Sequence, residues 1–227
     1  MNEKVIWDFL LRYVENAYGT AAIMGNLMAE SSLNPKCVTG TKDPDYVEKA
    51  DAGTIDFIHD GHAFGLAQWC FWSRKEKLFN YAKERGQSIG ELNMQLDFLW
   101  SELQNNYPQT LSMMKSATSI REASDAFMTR YEKPGDQSET MKKRRSDYGQ
   151  KFFQQFVKID PVPSGKKMVV ATENVRIRSG DSIKYGQVGR LEKGQSAEWV
   201  ATSNGFHGIR MKDRVGWVSG DFSKVVS

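Results

Sequence analysis

The stretch Ala21-Ala22-Ile23-Met24-Gly25-Asn26-Leu27-Met28-Ala29-Glu30, followed by Ser31-Ser32-Leu33-Asn34-Pro35, ends an apolar run on a carboxylate. The run predicts a helix over 20–31, with Thr20 as its N-cap. At about 100° per residue, Ile23, Leu27 and Glu30 fall within roughly 60° of one another. Glu30 therefore follows the apolar stripe instead of the solvent face. A carboxyl group among apolar neighbours resists ionisation, and one that keeps its proton can donate it to a leaving group. The competing reading is a carboxylate paired with a Lys or Arg, or escaping to water at the helix end.

Working outward, the first 158 residues read as helices. Val5, Ile6, Phe9, Leu10, Tyr13, Val14 and Ala17 recur at helical spacing, and Gly19 closes that segment. Three later starts have the Ser/Thr-x-x-Glu capping form: Ser73…Glu76, Ser88…Glu91 and Ser119…Glu122. Their helices end at Gly86, before Pro108 and at Pro134-Gly135. A last helix over about 138–158 places Met141, Tyr148, Phe152 and Phe156 on one side. Met and aromatic stripes at this spacing are core packing and imply no cofactor. Between these helices, residues 36–68 hold Gly40, Gly53, Gly61 and Gly65 with six acids, Asp43, Asp45, Glu48, Asp51, Asp56 and Asp60. A long segment of this kind in a compact domain is usually functional or disordered, and here it reads as a lobe lining a cleft.

The pattern changes after Ile159-Asp160-Pro161-Val162-Pro163-Ser164-Gly165, which holds two of the six prolines and reads as a linker over 159–166. Beyond it, 168–171, 175–178 and 215–218 alternate as short strands. Turn signals fall at Ser179-Gly180-Asp181, Glu192-Lys193-Gly194 and Ser203-Asn204-Gly205. The expected fold class is two-domain: a mainly α domain over 1–158, then a small all-β barrel over 167–227.

With 227 residues, 40% hydrophobic and 26% charged, the chain has the composition of a globular protein. Its net charge of +3 is too small to argue for nucleic acid, but residues 166–227 carry +5 against −2 for the rest. A basic C-terminal module suits an anionic surface, or is a solvated surface with no such role. No apolar run is long enough for a membrane span, and the N-terminus shows no secretory signal. Two cysteines, Cys37 and Cys70, are too few for a disulfide scaffold and fit a chain made in the cytoplasm with free thiols. His59 and His62 could imitate a metal site with a cysteine, but His-x-x-His is shorter than zinc spacing and no second pair exists, so neither metal nor other cofactor is expected.

Four strings occur in order: Ala21…Met24-Gly25-Asn26…Glu30-Ser31…Asn34-Pro35; Gly65-Leu66-Ala67-Gln68-Trp69; Gln95-Leu96-Asp97-Phe98-Leu99-Trp100…Glu102-Leu103; and Tyr131-Glu132-Lys133-Pro134-Gly135. Over roughly residues 1–155 they resemble the phage tail lysozyme family, a branch of the lysozyme-like superfamily that includes goose-type lysozymes and lytic transglycosylases. The resemblance implies cleavage of the peptidoglycan glycan strand between N-acetylmuramic acid and N-acetylglucosamine. It puts the general acid at Glu30 with Ser31 beside it, and lines the sugar cleft with the Gly65-Leu66-Ala67-Gln68 string; Trp69, Tyr131 and the loop residue His62 are further candidates for substrate contact. The residues after Pro163 resemble a bacterial SH3 domain. Glu173-Asn174-Val175-Arg176-Ile177-Arg178-Ser179-Gly180 matches its opening and Gly216-Trp217-Val218 its closing strand. That likeness implies a wall anchor binding peptide or anionic polymer, with Tyr185, Trp199, Phe206 and Trp217 as candidate stacking residues or core.

A hydrolase of this kind wants a second carboxylate: about 5 Å from the acid if retaining, about 6.5–9.5 Å if inverting. Asp56 and Asp60 are the candidates nearest the Gly-Leu-Ala-Gln string. Glu132 is a third, for which a salt bridge or cap is the simpler reading. Relatives without a second carboxylate use the sugar's own hydroxyl and release an anhydro product. The expectation is a monomeric endolysin, made in the host cytoplasm and released to a Gram-positive wall. The alternatives are a lytic transglycosylase, or a non-catalytic wall-binding or tail protein.

Overall fold

The computed structural model describes residues 2–157, 167–211 and 214–226. Eight helices precede a C-terminal antiparallel sheet of seven strands, as the two-domain reading expects. The helical half runs α1 (Asn2–Val14), α2 (Ala17–Ser31), β1 (Val38–Thr39), α3 (Tyr46–Asp51), β2 (Ala63–Phe64), α4 (Trp72–Glu84), α5 (Leu92–Asn105), α6 (Pro108–Lys115), α7 (Ile120–Phe127) and α8 (Glu139–Phe156). A π-helical turn, Met128–Glu132, continues α7. The expected linker over 159–166 lies outside the described residues.

Helix α2 is the centre. Every residue from Tyr18 to Leu27 is buried, so the helix is enclosed on all sides rather than along one stripe. It packs against α1, α6, α7 and α8. Two glycines permit the tightest contact. A Cβ on Gly25 would stand 2.3 Å from the Arg145 carbonyl oxygen, and one on Gly149 would stand 2.8 Å from that of Ala21. The backbones of α2 and α8 therefore touch.

Several local readings change. Helix α2 starts three residues before Thr20, because Asn16 is the cap: its Oδ1 accepts from the Gly19 amide at 3.0 Å. The Asn16 amide also donates to the carbonyls of Lys115 and Ala117, anchoring the helix start to the α6–α7 connection. Gly19 thus lies inside α2, not at the end of α1. Neither Ser73 nor Ser88 caps a helix. Helix α4 begins at Trp72 after Phe71, and the Ser88 hydroxyl donates to Asp51 at 2.5 Å ahead of α5. Ser119 does cap α7, accepting from Glu122, and Ser138 caps α8. The 36–68 segment folds around the β1–β2 ladder and the short helix α3.

The C-terminal strands are β3 (Met168–Ala171), β4 (Val175–Arg178), β5 (Gln187–Leu191), β6 (Ser196–Ser203), β7 (Phe206–Arg210), β8 (Val215–Ser219) and β9 (Ser223–Val226), in the order β5-β4-β8-β7-β6-β3-β9. Val169, Ala171, Val175, Ile177, Leu191, Ile209 and Val218 form their core. The β6–β7 hairpin closes over Asn204-Gly205, both at positive φ, the backbone that a tight two-residue turn demands. The Tyr18 hydroxyl donates to the Val215 carbonyl at 2.8 Å, one contact between the two halves.

Candidate active site

Glu30 occupies the last turn of α2, with 17% of its side chain exposed. It is paired, as the competing reading allows. Arg145 of α8, only 3% exposed, donates from Nη2 to Glu30 Oε1 at 2.6 Å and from Nη1 to Asn26 Oδ1 at 3.1 Å. Asn26 is oriented for this by its own amide, which donates to Ser124 and to the Ala22 carbonyl. The close approach of α2 and α8 is what delivers the guanidinium. Arg145 Nε is buried with no partner.

Beyond Glu30 the chain turns through Ser32 and Leu33, both at positive φ. The buried Ser31 hydroxyl donates to the Leu66 carbonyl at 2.9 Å, which ties the Glu30 helix end to the Gly65–Gln68 turn. That turn is held by one buried amide. Gln95 Oε1 accepts from the Leu66 amide at 2.9 Å, while its Nε2 donates to the carbonyls of Pro35 and Ile89, each at 2.7 Å. Gly65 has φ +76°, and a Cβ there would lie 2.7 Å from Gln95 Oε1. Gln68, half-buried, spends its amide donors on the Gly65 and Cys37 carbonyls and accepts from Thr39 at 2.6 Å.

Three of the residues expected at the cleft present almost no surface. Leu66 and Trp69 are 0% exposed and Tyr131 is 1% exposed. They form a floor rather than a sugar-facing wall. Trp69 Nε1 and the Tyr131 hydroxyl both donate to Glu102 Oε2, at 2.8 and 2.6 Å. Arg74 grips the same carboxylate with two bonds, 2.9 Å to Oε1 and 2.8 Å to Oε2, and lies 4.7 Å from the Tyr131 ring centroid.

Glu132 follows on the π turn. Among the described residues it makes neither the salt bridge nor the cap that the simpler reading supposed, and its buried Oε1 has no partner. Burial raises its pKa well above the usual carboxylate range, and the Glu30 carboxylate adds the largest further push. Glu132 therefore holds its proton more tightly than an ordinary carboxyl group, in the field of Glu30.

Asp56 and Asp60 are committed elsewhere. Asp56 is exposed and binds His59, and the His59 backbone amide holds its pKa low. Burial pushes Asp60 up, but hydrogen bonds from Lys75 and Tyr46 outweigh it and the net shift is downward. Lys75 is fully buried and also donates to the His62 carbonyl at 3.0 Å. These bonds brace the 56–62 loop, and the His62 ring packs against Gly40. Among the described residues no group of three His, Cys, Asp or Glu side chains is gathered as a metal ion would require.

Residues 1–156 match the family described as phage tail lysozyme. The chain belongs to the phage tail lysozyme family. No curated protein matches it. The phage tail lysozyme region ends ahead of β3, and membership makes the chain a lysozyme-like peptidoglycan-cleaving glycosidase. Glu30, Ser31, Gly65, Leu66 and Gln68 are brought together in this lysozyme fold. Arg145, Arg74 and Glu102 join them without a local sequence signal for their roles.

In the C-terminal module, Trp217 at 2% and Phe206 at 9% exposure are core residues, so stacking on a ligand is not open to them. Tyr185 is half-buried, and burial moves its pKa up to about 12. Trp199 is half-buried, with its indole N–H donating to Thr202 at 3.2 Å.

Proposed function

We propose that this lysozyme cleaves the β-1,4 bond between N-acetylmuramic acid and N-acetylglucosamine, with Glu30 as general acid. The observation that carries the reading is the placement of Glu30. It lies at a helix end between Arg145 and the Gly65–Gln68 turn, joined to that turn through Ser31. Glu30 gives a proton to the glycosidic oxygen, the C1–O bond breaks, and water adds hydroxide to C1 while its second proton returns to Glu30. The +5 C-terminal module, an SH3-like barrel, anchors the enzyme to an anionic Gram-positive wall.

One observation favours a second reading. The raised pKa of Glu132 makes it a poor nucleophile and base, while Asp56 is bound to His59 and Asp60 to Lys75 and Tyr46. The sugar's C6 hydroxyl would then attack C1, pass its proton to Glu30 and leave a 1,6-anhydro end. Mass spectrometry of digested peptidoglycan decides: a free reducing end on muramic acid supports hydrolysis, and an anhydro end supports the second reading. Glu30→Gln should abolish release of either while wall sedimentation persists. An active Glu30→Gln protein overturns the assignment.

A further inference from the structure

The Gly65–Trp69 turn runs on into two consecutive aromatic residues that face water: Phe71 is 62% and Trp72 52% exposed. Adjacent exposed aromatics are uncommon on a soluble surface and mark contact sites. The His59 ring stacks on Trp72, with centroids 6.2 Å apart and planes 26° apart. His59 is itself fixed. Its backbone amide and its Nδ1 both bind Asp56 at 3.1 Å. The base beneath is rigid, because the Phe71 carbonyl accepts from the Arg74 and Lys75 amides while buried Lys75 is pinned to Asp60 and to the His62 carbonyl. Two loops, 56–62 and 65–72, are thus locked together to present an indole, a phenyl and an imidazole. Trp72 is four residues from Gln68, so the patch adjoins the turn tied to Glu30.

We infer that Phe71, Trp72 and His59 form a saccharide-stacking subsite that takes the C–H face of an N-acetylated pyranose at the edge of the glycan cleft. The inference rests on the glycan-cleaving reading above. A pyranose offers one apolar C–H face ringed by hydroxyls, and this patch offers aromatic faces beside the polar rim of Asp56 and His59. A lipid surface would call for basic neighbours, where Asp56 is acidic. The subsite holds a sugar some distance from the scissile bond and adds affinity without touching the reacting atoms.

The test uses full-length Glu30→Gln protein, which spares the probe, titrated with a soluble N-acetylglucosamine trimer. The Trp72 indole N–H resonance, assigned by its loss in Trp72→Phe, should shift. In otherwise native protein, Trp72→Ala should raise KM for purified wall about tenfold with kcat within about twofold. Trp72→Phe should recover part of that loss. An unmoved indole resonance together with an unchanged KM overturns the inference. So does sedimentation showing a dimer that Trp72→Ala dissolves, which would make the patch a self-contact. Should native protein release no glycan fragments, the glycosidase reading fails, while the trimer titration still decides whether Trp72 binds sugar.

Discussion

Arg145 Nη2 lies 2.6 Å from Glu30 Oε1, joining the end of α2 to the first half of α8 across 115 residues of sequence. This one contact links the fold to the chemistry. The backbone approach at Gly25 and Gly149 sets where the guanidinium stands, and the guanidinium sets where the carboxylate points. Removing either partner should therefore have different consequences. Glu30→Gln keeps an oxygen for Arg145 but removes its counter-charge, and should cost less than the loss of Arg145 while lytic activity disappears. Arg145→Ala strands Glu30 and Asn26 and should cost about 3 kcal/mol. Urea denaturation of both variants, set beside wall clearing, checks the contrast. Equal stability losses would show that the pair does not organise the helix end.

Glu132 makes a prediction in pH. Its pKa is raised in the folded protein above the unfolded value of 4.5. Between these two values the folded state binds a proton that the unfolded state does not, so stability falls as pH rises. The contribution is fully favourable below about 4.5 and declines at up to about 1.4 kcal/mol per pH unit above it. Glu132→Gln removes the titration. The melting temperature of the variant relative to native should climb as pH rises above 4.5. A difference independent of pH would mean that Glu132 is ionised in the fold.

What could be read from the chain alone depended on how far apart the deciding atoms are. Ser119 caps α7 because cap and amide are three residues apart and nothing else competes. Ser88 has the same spacing to Glu91, but its hydroxyl goes to Asp51, 37 residues back, and the helix starts later. The strand pattern after the linker was legible because alternation is local. Trp69 and Tyr131 stand in recognisable strings, yet their direction is set by Glu102 on another helix, so position in a motif did not reveal burial. Glu132 was visible as a carboxylate, but its raised pKa comes from burial and then from the Glu30 carboxylate, neither of which spacing discloses. Phe71 and Trp72 were indistinguishable from core aromatics until exposure separated them from Trp69.

Gln95 is expected to be indispensable to the turn and dispensable to the helices. Its fully buried amide satisfies the Leu66 N–H and two carbonyls, of Pro35 and Ile89. Gln95→Leu leaves three buried backbone groups unpaired, at about 1–3 kcal/mol each before relaxation or water entry. Far-UV circular dichroism should remain helical at low temperature. Hydrogen exchange of the Leu66 amide should accelerate, and activity should fall because the turn no longer meets Ser31. A variant with native exchange at Leu66 would show that the turn is held by other bonds.

Glu102 should show the strongest coupling in the molecule. Its carboxylate, 4% exposed, receives four hydrogen bonds from three side chains: two from Arg74, one from Trp69 and one from Tyr131. A fork-to-fork guanidinium contact with two further donors exceeds a surface ion pair because water cannot replace the lost bonds. Glu102→Gln turns one acceptor into a donor facing donors, and should cost about 3 kcal/mol. Tyr131→Phe removes a single bond to a charged group and should cost about 2 kcal/mol. The two losses share one contact, so the double variant should fall short of their sum by at least about 1 kcal/mol. Strict additivity in urea denaturation would mean that the Tyr131 hydroxyl is not bonded to Glu102, and the π turn that carries Glu132 would then need another anchor.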